Sequence, residues 1–360
     1  MTATPNAVPQ VLSVDLGRTA TKACVGRIPD GVVLIPANVA HLTVEQVRRG
    51  GFESQPTDPL SDLWLEYQGS GYAVGHLGAD FGANLGVGQS KVDDALIKTF
   101  ACVGYFDLSG ELAIVVGLPY HSQDQFDREK AALLSSLKAP HRMVYRGKTI
   151  DINVSHVWVM PEGYGSLIWC EASQGRKGAE FPKLSVAVVD IGHQTTDFLM
   201  VDKFRFARGT SKSEPFGMSQ FYEQVAAQIQ GADSQSMSLI EAVHRPEGER
   251  FYRPKGETKP TDLDTILPSL SKSFARELSD LLIAWLPERT TDVIVCGGGG
   301  EFFWNDFRPL LREAKLKGHL AKPSRQSNAL GQFLYGETQV ANAQKAAQKA
   351  AQQAAQKAES

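Results

Sequence analysis

The sequence predicts an α/β fold of two duplicated halves, and three glycine-punctuated segments predict it. Val11 to Lys22 reads V-L-S-V-D-L-G-R-T-A-T-K, and Val186 to Phe198 reads V-A-V-V-D-I-G-H-Q-T-T-D-F. Each is a run of β-prone apolar residues that ends in Asp-x-Gly and then turns polar with Thr. The third, Val293 to Gly300, is a strand that runs into four glycines, V-I-V-C-G-G-G-G. One such strand-turn is weak evidence. The same strand-turn in both halves of a 360-residue chain, a length that allows about two domains, implies two related domains facing each other across a bound phosphate chain.

The elements follow in order. Residues 1–10 are polar and read as disordered. Val11–Val14 is a buried-type strand, with Thr21–Arg27 as its hairpin partner, and Val32–Ile35 is an apolar run stopped by Pro36. Gly50 to Gly71 is rich in Gly, Pro, Ser and Asp and reads as loop, with a short strand at Leu63–Tyr67. Val92, Leu96, Ile97, Phe100 and Ala101 share one face of a helix over Ser90–Phe106. Leu112–Val116 is a strand ended by Gly117-Leu118-Pro119, and Gln123–Leu137 is a helix. Val144–Val154 alternates as a hairpin, and Val157–Met160 is a strand before Pro161-Glu162-Gly163. Gly165–Gln174 reads as a helix and Arg176–Lys183 as a polar loop.

The second half opens with the strand Leu184–Val189, followed by a hairpin of Phe198–Val201 and Phe204–Phe206. Gly217–Ile229 has helical spacing. Pro246 to Thr261 is polar, with Gly248, Pro254 and Gly256, and reads as an exposed excursion. Ile266–Leu286 is a long helix, Asp292–Cys296 a strand, Phe302–Leu311 a helix, and Asn328–Gly336 the start of another. Ala341 to Ser360 is almost wholly Ala, Gln and Lys, all good helix formers. It reads as a solvated, partly helical extension, with a basic contact to a partner, a neighbouring subunit or DNA as the alternative.

Composition removes several classes of function. With 37 basic and 40 acidic residues the net charge is −3, not the strong basic excess of a nucleic-acid binder. Direct nucleic-acid binding is therefore not expected, a role of the basic tail apart. Cys24, Cys102, Cys170 and Cys296 are scattered, with no C-x-x-C, which speaks against a zinc site or a disulfide framework and for reduced thiols in a cytoplasmic protein. No secretory signal and no membrane-length apolar run is present, so no membrane partner is expected.

The chemistry lies in the turns. Glycine lets backbone N–H groups approach an anion closely, and successive N–H groups form a concave phosphate site. In the first turn Gly17 supplies that backbone, Arg18 lies beside it, Thr19 and Thr21 add hydroxyls, and Lys22 adds a point charge. Asp15, at the strand end, is suited to hold water on a magnesium ion. In the second turn Gly192, Thr195 and Thr196 are the donors, and Asp190 is the matching carboxylate acting through water. Neither turn is a Walker loop or a G-x-G-x-x-G dinucleotide turn. Gly297, Gly298, Gly299 and Gly300 leave room for a purine and its ribose to lie on the backbone.

With these three pieces in this order the chain resembles the superfamily that joins actin, the sugar kinases and the heat-shock chaperone ATPases. Met160-Pro161-Glu162-Gly163-Tyr164-Gly165 stands where that superfamily has its first connecting segment, and Ser327-Asn328-Ala329-Leu330-Gly331 where it has its second. Total length, the Gly117-Leu118-Pro119 turn and the Pro161-Glu162 pair resemble the bacterial and archaeal actin-like proteins of the plasmid-segregation (ParM/StbA) type. The resemblance implies duplicated actin-like (ribonuclease H-like) α/β domains around a nucleotide cleft. Residues 11–163 would form domain I, 164–327 domain II, 328–340 a helix returning to domain I, and 341–360 the tail. It implies an ATP hydrolase with Mg2+, GTP being the alternative nucleotide, that self-associates into filaments and works with a DNA-binding adaptor protein. It carries Asp15 and Asp190 over as metal-associated, Gly17, Thr19, Lys22, Gly192 and Thr195 as phosphate-binding, and Gly297, Gly298 and Gly299 as the adenosine loop.

Glu162 carries over as the carboxylate that orients the attacking water, since γ-phosphoryl transfer needs a positioned water more than a strong base. The chain departs from the common pattern at His193 and Gln194. His193 reads as a turn residue, and Gln194 offers an alternative water-positioner. Two other readings stand beside the filament ATPase: a small-molecule kinase, for which no substrate-facing carboxylate is evident, and a chaperone-like or regulatory ATPase, which would be longer.

Overall fold

The computed structural model describes residues 8–26, 30–49, 58–84, 91–173 and 181–359. The readings made above for residues 1–7, 50–57, Arg27, Ser90 and 174–180 lie outside the described residues. The chain divides into two compact units: Met1–Leu118 with Gln123–Ile168 and Asn328–Ser360, and Pro119–Ser122 with Trp169–Ser327.

In the first unit, β1 (Gln10–Leu16), β2 (Ala20–Cys24) and β3 (Val32–Pro36) form an antiparallel meander. β4 (Val39–Thr43) leads into α1 (Val44–Arg49), and the hairpin β5 (Leu63–Tyr67) and β6 (Ser70–Val74) precedes α2 (His76–Asp80) and α3 (Ala95–Tyr105). β7 (Gly110–Leu118) returns parallel to β1. After α4 (Gln123–Leu137), the hairpin β8 (Pro140–Tyr145) and β9 (Lys148–Pro161) places β9 parallel to β7, and α5 (Tyr164–Ser173) follows. The sheet order is β3-β2-β1-β7-β9-β8-β5-β6-β4. Leu12, Val14, Leu16 and Leu112 to Val116 are all buried in its middle, because these central parallel strands are covered on both faces.

β9 corrects one reading. The segments Val144–Val154 and Val157–Met160 were expected to be separate strands, but Lys148 to Pro161 is continuous. The pairing with β7 jumps from Leu112↔Val154 to Ala113↔His156, so Ser155 is an extra residue, and its hydroxyl donates to the Leu112 carbonyl at 3.2 Å. Such a bulge shifts the in/out alternation by one and hides the strand's continuity from period-two patterning.

The second unit repeats the plan. β10 (Ser185–Ile191), β11 (Thr196–Asp202) and β12 (Arg205–Phe206) form the meander, and β13 (Lys212–Glu214) pairs with β11. α6 (Met218–Ala227) and α7 (Met237–His244) follow, then a ribbon of β14 (Phe251–Tyr252) and β15 (Thr261–Asp262), then α8 (Leu267–Trp285). β16 (Asp292–Cys296) is parallel to β10, α9 (Gly298–Glu313) follows it, and β17 (Lys317–Leu320) is parallel to β16. α10 (Ser327–Glu359) ends the described chain as one helix, exposed for most of its length beyond Val340. The order β12-β11-β10-β16-β17 matches β3-β2-β1-β7-β9 of the first unit.

The second core is aromatic. Phe274 of α8 is stacked between Phe216 at 4.2 Å and Phe303 of α9 at 4.4 Å, with the Phe221 ring edge-on to Phe303 at 5.1 Å. Phe303, Phe221 and Tyr222 are therefore core residues rather than a platform for a base. The polar excursion after Pro246 is exposed over most of its length, as its composition suggests, but it is anchored. Tyr252 is buried, and Asp264 ties the segment down by accepting from the Gly248 N–H at 2.6 Å and from Arg250 at 3.2 Å.

Candidate functional site

In the first unit the hairpin register puts Asp15 opposite Lys22. Side chains directly opposite on neighbouring strands share a face, and Lys22 Nζ lies 2.9 Å from Asp15 Oδ2. Lysine and aspartate, read from sequence as separate ligands of phosphate and metal, are thus an ion pair. Gly17 closes the turn by donating its N–H to the Asp15 carbonyl at 3.0 Å. A Cβ at residue 17 would collide with the Ala20 carbonyl and stand 2.8 Å from Lys22 Nζ, so glycine is required there. Arg18 and Thr19 are partly exposed on the turn, and Thr19 accepts from Ala37 N–H at 3.0 Å through its carbonyl. Thr21 is fully buried and its hydroxyl has no partner. Lys98, buried on α3, adds positive potential beside Arg18 and Lys91. Burial pushes its pKa down, opposed by Asp94, while Arg18 and Lys91 push it further down.

Glu162 follows β9 directly. Its backbone N–H donates to the Leu118 carbonyl at 2.8 Å, and its buried carboxylate is paired with Lys91. The start of α5 is capped from α10, where Asn328 Oδ1 accepts from Gly163 N–H at 2.9 Å, Ser166 N–H at 3.2 Å and the Ser166 hydroxyl at 3.2 Å. That one amide oxygen serves the helix start as a side-chain N-cap would. The two helices cross where Gly331 meets the Gly165 backbone, so closely that no Cβ fits at either position. The two connecting segments named from sequence therefore touch each other, and together they fix Glu162. Lys91 was missed because nothing local links it to a residue 71 positions away.

In the second unit the residue opposite Asp190 is Asp197. Asp197 is buried, its Oδ1 has no partner, and Thr195 Oγ1 reaches its Oδ2 at 3.5 Å. Two carboxylates facing each other across a strand pair repel and favour a cation nearby. Gly192 closes this turn, its N–H donating to the Thr195 carbonyl at 2.8 Å. The start of α6 braces it, with Met218 N–H donating to the Gly192 carbonyl at 3.0 Å and Ser219 N–H to the His193 carbonyl at 2.7 Å. Gln194 is partly exposed on the turn. Thr196 differs from expectation. It is fully buried and its hydroxyl donates to the Phe216 carbonyl at 2.5 Å, pointing into the unit's interior.

The glycine run also differs from the open loop expected. Only Gly297, with φ +82°, precedes α9, and Gly298, Gly299 and Gly300 form its first turn. A Cβ at 297 would strike Asp190 Oδ1 and the Ile191 carbonyl, and one at 299 would strike Ile191 Cγ2. Gly297 and Gly299 are therefore packing glycines, which let α9 seat against the end of β10. Gly298 alone of the three named has open space around its Cβ position. The helix start carries no side-chain cap bond.

His193 is partly buried on the second turn, and burial pushes its pKa down. Its ring lies 5.9 Å from that of Tyr222, whose hydroxyl is 2.8 Å from His244 Nε2. Burial first, then Arg325 and Arg250, push His244 down to about 4 from 6.5. The unfolded chain therefore binds a proton that the folded chain refuses between these values. Stability is fully present above the unfolded pKa and is lost as pH falls toward the folded one. Acidification from pH ~7 to ~4.5 is expected to lower stability through His244, but by less than the full shift implies, because the residue is exposed and water screens it; His244→Gln is expected to flatten that slope. Urea midpoints for both proteins at the two pH values check it.

These residues fit magnesium and a nucleotide. Each turn carries one strand-end carboxylate, which suffices for an ion that keeps most of its waters. Among the described residues no cluster of three or more His, Cys, Asp or Glu forms a direct metal cage. The buried, unpartnered Thr21 hydroxyl and Asp197 Oδ1 are polar atoms for which a bound group or its waters can account.

A meander followed by two parallel strands, built twice, with an Asp-x-Gly turn at the same place in each copy, defines the duplicated ribonuclease H-like class. Residues 13–165 match the family model for the N-terminal domain of actin-like proteins. Residues 188–308 match that for the C-terminal domain of the archaeal MreB-like actin homologue. The chain belongs to the actin-like proteins. Its fold is similar to that of the crystal structure of the actin-like protein Alp7A, at TM-score 0.73 and 16% identity over 94% of this chain and 99% of that one. It is also similar to the archaeal actin homologue Ta0583 in complex with ADP, at TM-score 0.70 and 18% identity over 91% and 99%. A third likeness is to the 15-stranded ParM filament from Clostridium botulinum, at TM-score 0.66 and 17% identity over 92% and 100%. A search of curated proteins gives no match. No helix among the described residues is long and apolar enough to cross a membrane.

Proposed function

We propose that this chain is a nucleotide-dependent, filament-forming actin-like ATPase that acts in DNA segregation in the cytoplasm. The observation that carries the reading is the twin turn: two hairpins of the same build, each presenting a strand-end carboxylate beside a glycine that admits no side chain. Each unit contributes its turn to nucleotide binding. Gly17, Arg18, Thr19 and Lys22 serve the phosphates from the first unit, and Gly192 and Thr195 from the second. Asp15 and Asp190 would hold magnesium through its waters, and the bound ion would offset charge on the transferring phosphoryl group. Gly298, at an uncapped helix start, serves the nucleoside end. ATP is the preferred nucleotide and GTP the alternative.

Glu162 orients the attacking water. Its carboxylate, paired with Lys91, offers oxygens that accept from a water O–H. Lys22, held by Asp15, moves to phosphate when one is present, because a dianionic oxygen competes well for an ammonium. Known ParM and Alp12 filaments share the fold, and this supports self-association on nucleotide binding. A DNA-binding adaptor would link the filament to its cargo, and the exposed Lys345 and Lys349 of the basic stretch are available to touch either.

The test is sedimentation and light scattering of the pure protein with ATP and magnesium. Polymer is expected above a threshold concentration, with phosphate released afterwards. A protein that stays monomeric while moving phosphate to a small molecule would overturn the reading in favour of a kinase.

A further inference from the structure

Gln332 lies on α10 in the first unit and is fully buried, and neither its Oε1 nor its Nε2 has a hydrogen-bond partner. A buried carboxamide with both ends unmade is a standing penalty that an apolar side chain of the same volume would avoid. Its position is specific. Nε2 occupies the space that a Cβ on Gly117 would need, and Glu162 Cγ lies 3.5 Å from that same position. The amide and the carboxylate side chain therefore flank one glycine at the end of β7. The register of α10 is pinned on either side by the Asn328 cap and by the contact of Gly331 with Gly165, so Gln332 cannot retreat without breaking the crossing that fixes Glu162.

We propose that Gln332 is a positioning residue for Glu162. Its amide group, through one buried water, adds a hold on the carboxylate to that of Lys91 and helps set the direction in which it receives the attacking water. A water with several polar partners is the ordinary way such a group is satisfied. Each further hydrogen bond to a carboxylate narrows the direction in which it accepts. The inference rests on the reading of Glu162 as the water-orienting residue.

The experiment compares Gln332→Met, Glu162→Gln and the double variant in the full chain. Phosphate release, nucleotide Kd and thermal midpoint are measured for each. Gln332→Met is expected to leave Kd and fold unharmed, with the midpoint equal or higher, while kcat falls about tenfold. In the Glu162→Gln background it is expected to cause no further loss, since the two act as one unit. Gln332→Asn, which keeps the amide but withdraws it, should lose less activity than the Met variant, and it decides the matter if the Met variant does not fold. Unchanged kcat with a raised midpoint, or equal loss in both backgrounds, would overturn the proposal. If Glu162→Gln itself leaves turnover intact, the parent reading fails. If it abolishes turnover and Gln332→Met does not, only this inference fails.

Discussion

Glu162→Gln is expected to lower nucleotide turnover by about 100- to 1,000-fold while nucleotide Kd stays within about twofold. The substitution keeps the volume and one acceptor oxygen but removes the charge that makes the group a good partner for a polarised water. Filaments should still assemble and should persist, because the step that destabilises them has been slowed. The same change leaves Lys91, a largely buried ammonium, without its carboxylate. Removing one member of a buried pair costs about 3 kcal/mol, so a fall in stability would accompany the fall in activity. Lys91→Met combined with Glu162→Gln separates the two. The double variant should regain part of the lost stability, since no buried ammonium is then left without its carboxylate, and should regain no turnover. Single-turnover phosphate release together with urea midpoints reads both quantities. Turnover restored in the double variant would mean that the single substitution acted through folding and that Glu162 has no part in the reaction.

The strands that carry the site were legible because their signal is local. β1, β10 and β16 are largely apolar runs that end in glycine turns, and Leu63–Tyr67 and Gln123–Leu137 fall where their patterning puts them. Elements set by tertiary contact were not. β17 reads Lys-Gly-His-Leu and has no alternation to find. Gly318 is there because Leu311 and Trp304 of α9 fill the space a side chain would take, with Leu311 Cδ1 2.8 Å from its Cβ position. α9 was expected to start at Phe302, since glycine is the poorest helix former after proline. Packing on Ile191 overrides that preference.

The site divides the same way. The Asp-x-Gly turns announce themselves, and the residue opposite each aspartate follows once the hairpin register is known. That register gives the first turn a lysine and the second another carboxylate, a difference the parallel wording of the two motifs conceals. Asn328 was named as part of a connecting segment, but its task as a cap for α5 needs three dimensions. Lys91 and Gln332 are far from Glu162 in the chain and have no motif, and only the fold brings them to it.

Gly297→Ala is the second large effect, expected to destabilise the second unit by about 3–5 kcal/mol and to lower its thermal midpoint by roughly 8–15 °C. Two independent penalties add. Residue 297 has φ +82°, a conformation that costs a side-chain-bearing residue about 1–3 kcal/mol. Its Cβ would also be driven into Asp190 Oδ1 and the Ile191 backbone, and the backbone cannot yield without moving β10. Gly298→Val is the contrasting variant. Residue 298 has open space at its Cβ position and sits in the first turn of α9, so stability should change by less than about 1 kcal/mol. If the nucleoside lies on that open backbone, a valine there should weaken nucleotide binding by about tenfold or more, a loss of about 1.4 kcal/mol. Calorimetric titration with a non-hydrolysable analogue, beside a thermal scan, measures both. Wild-type affinity in Gly298→Val would reduce the glycine run to a packing device for α9 and remove it from the nucleotide site. Lost affinity at unchanged stability would make the one glycine of the three that packing does not demand the one the ligand needs.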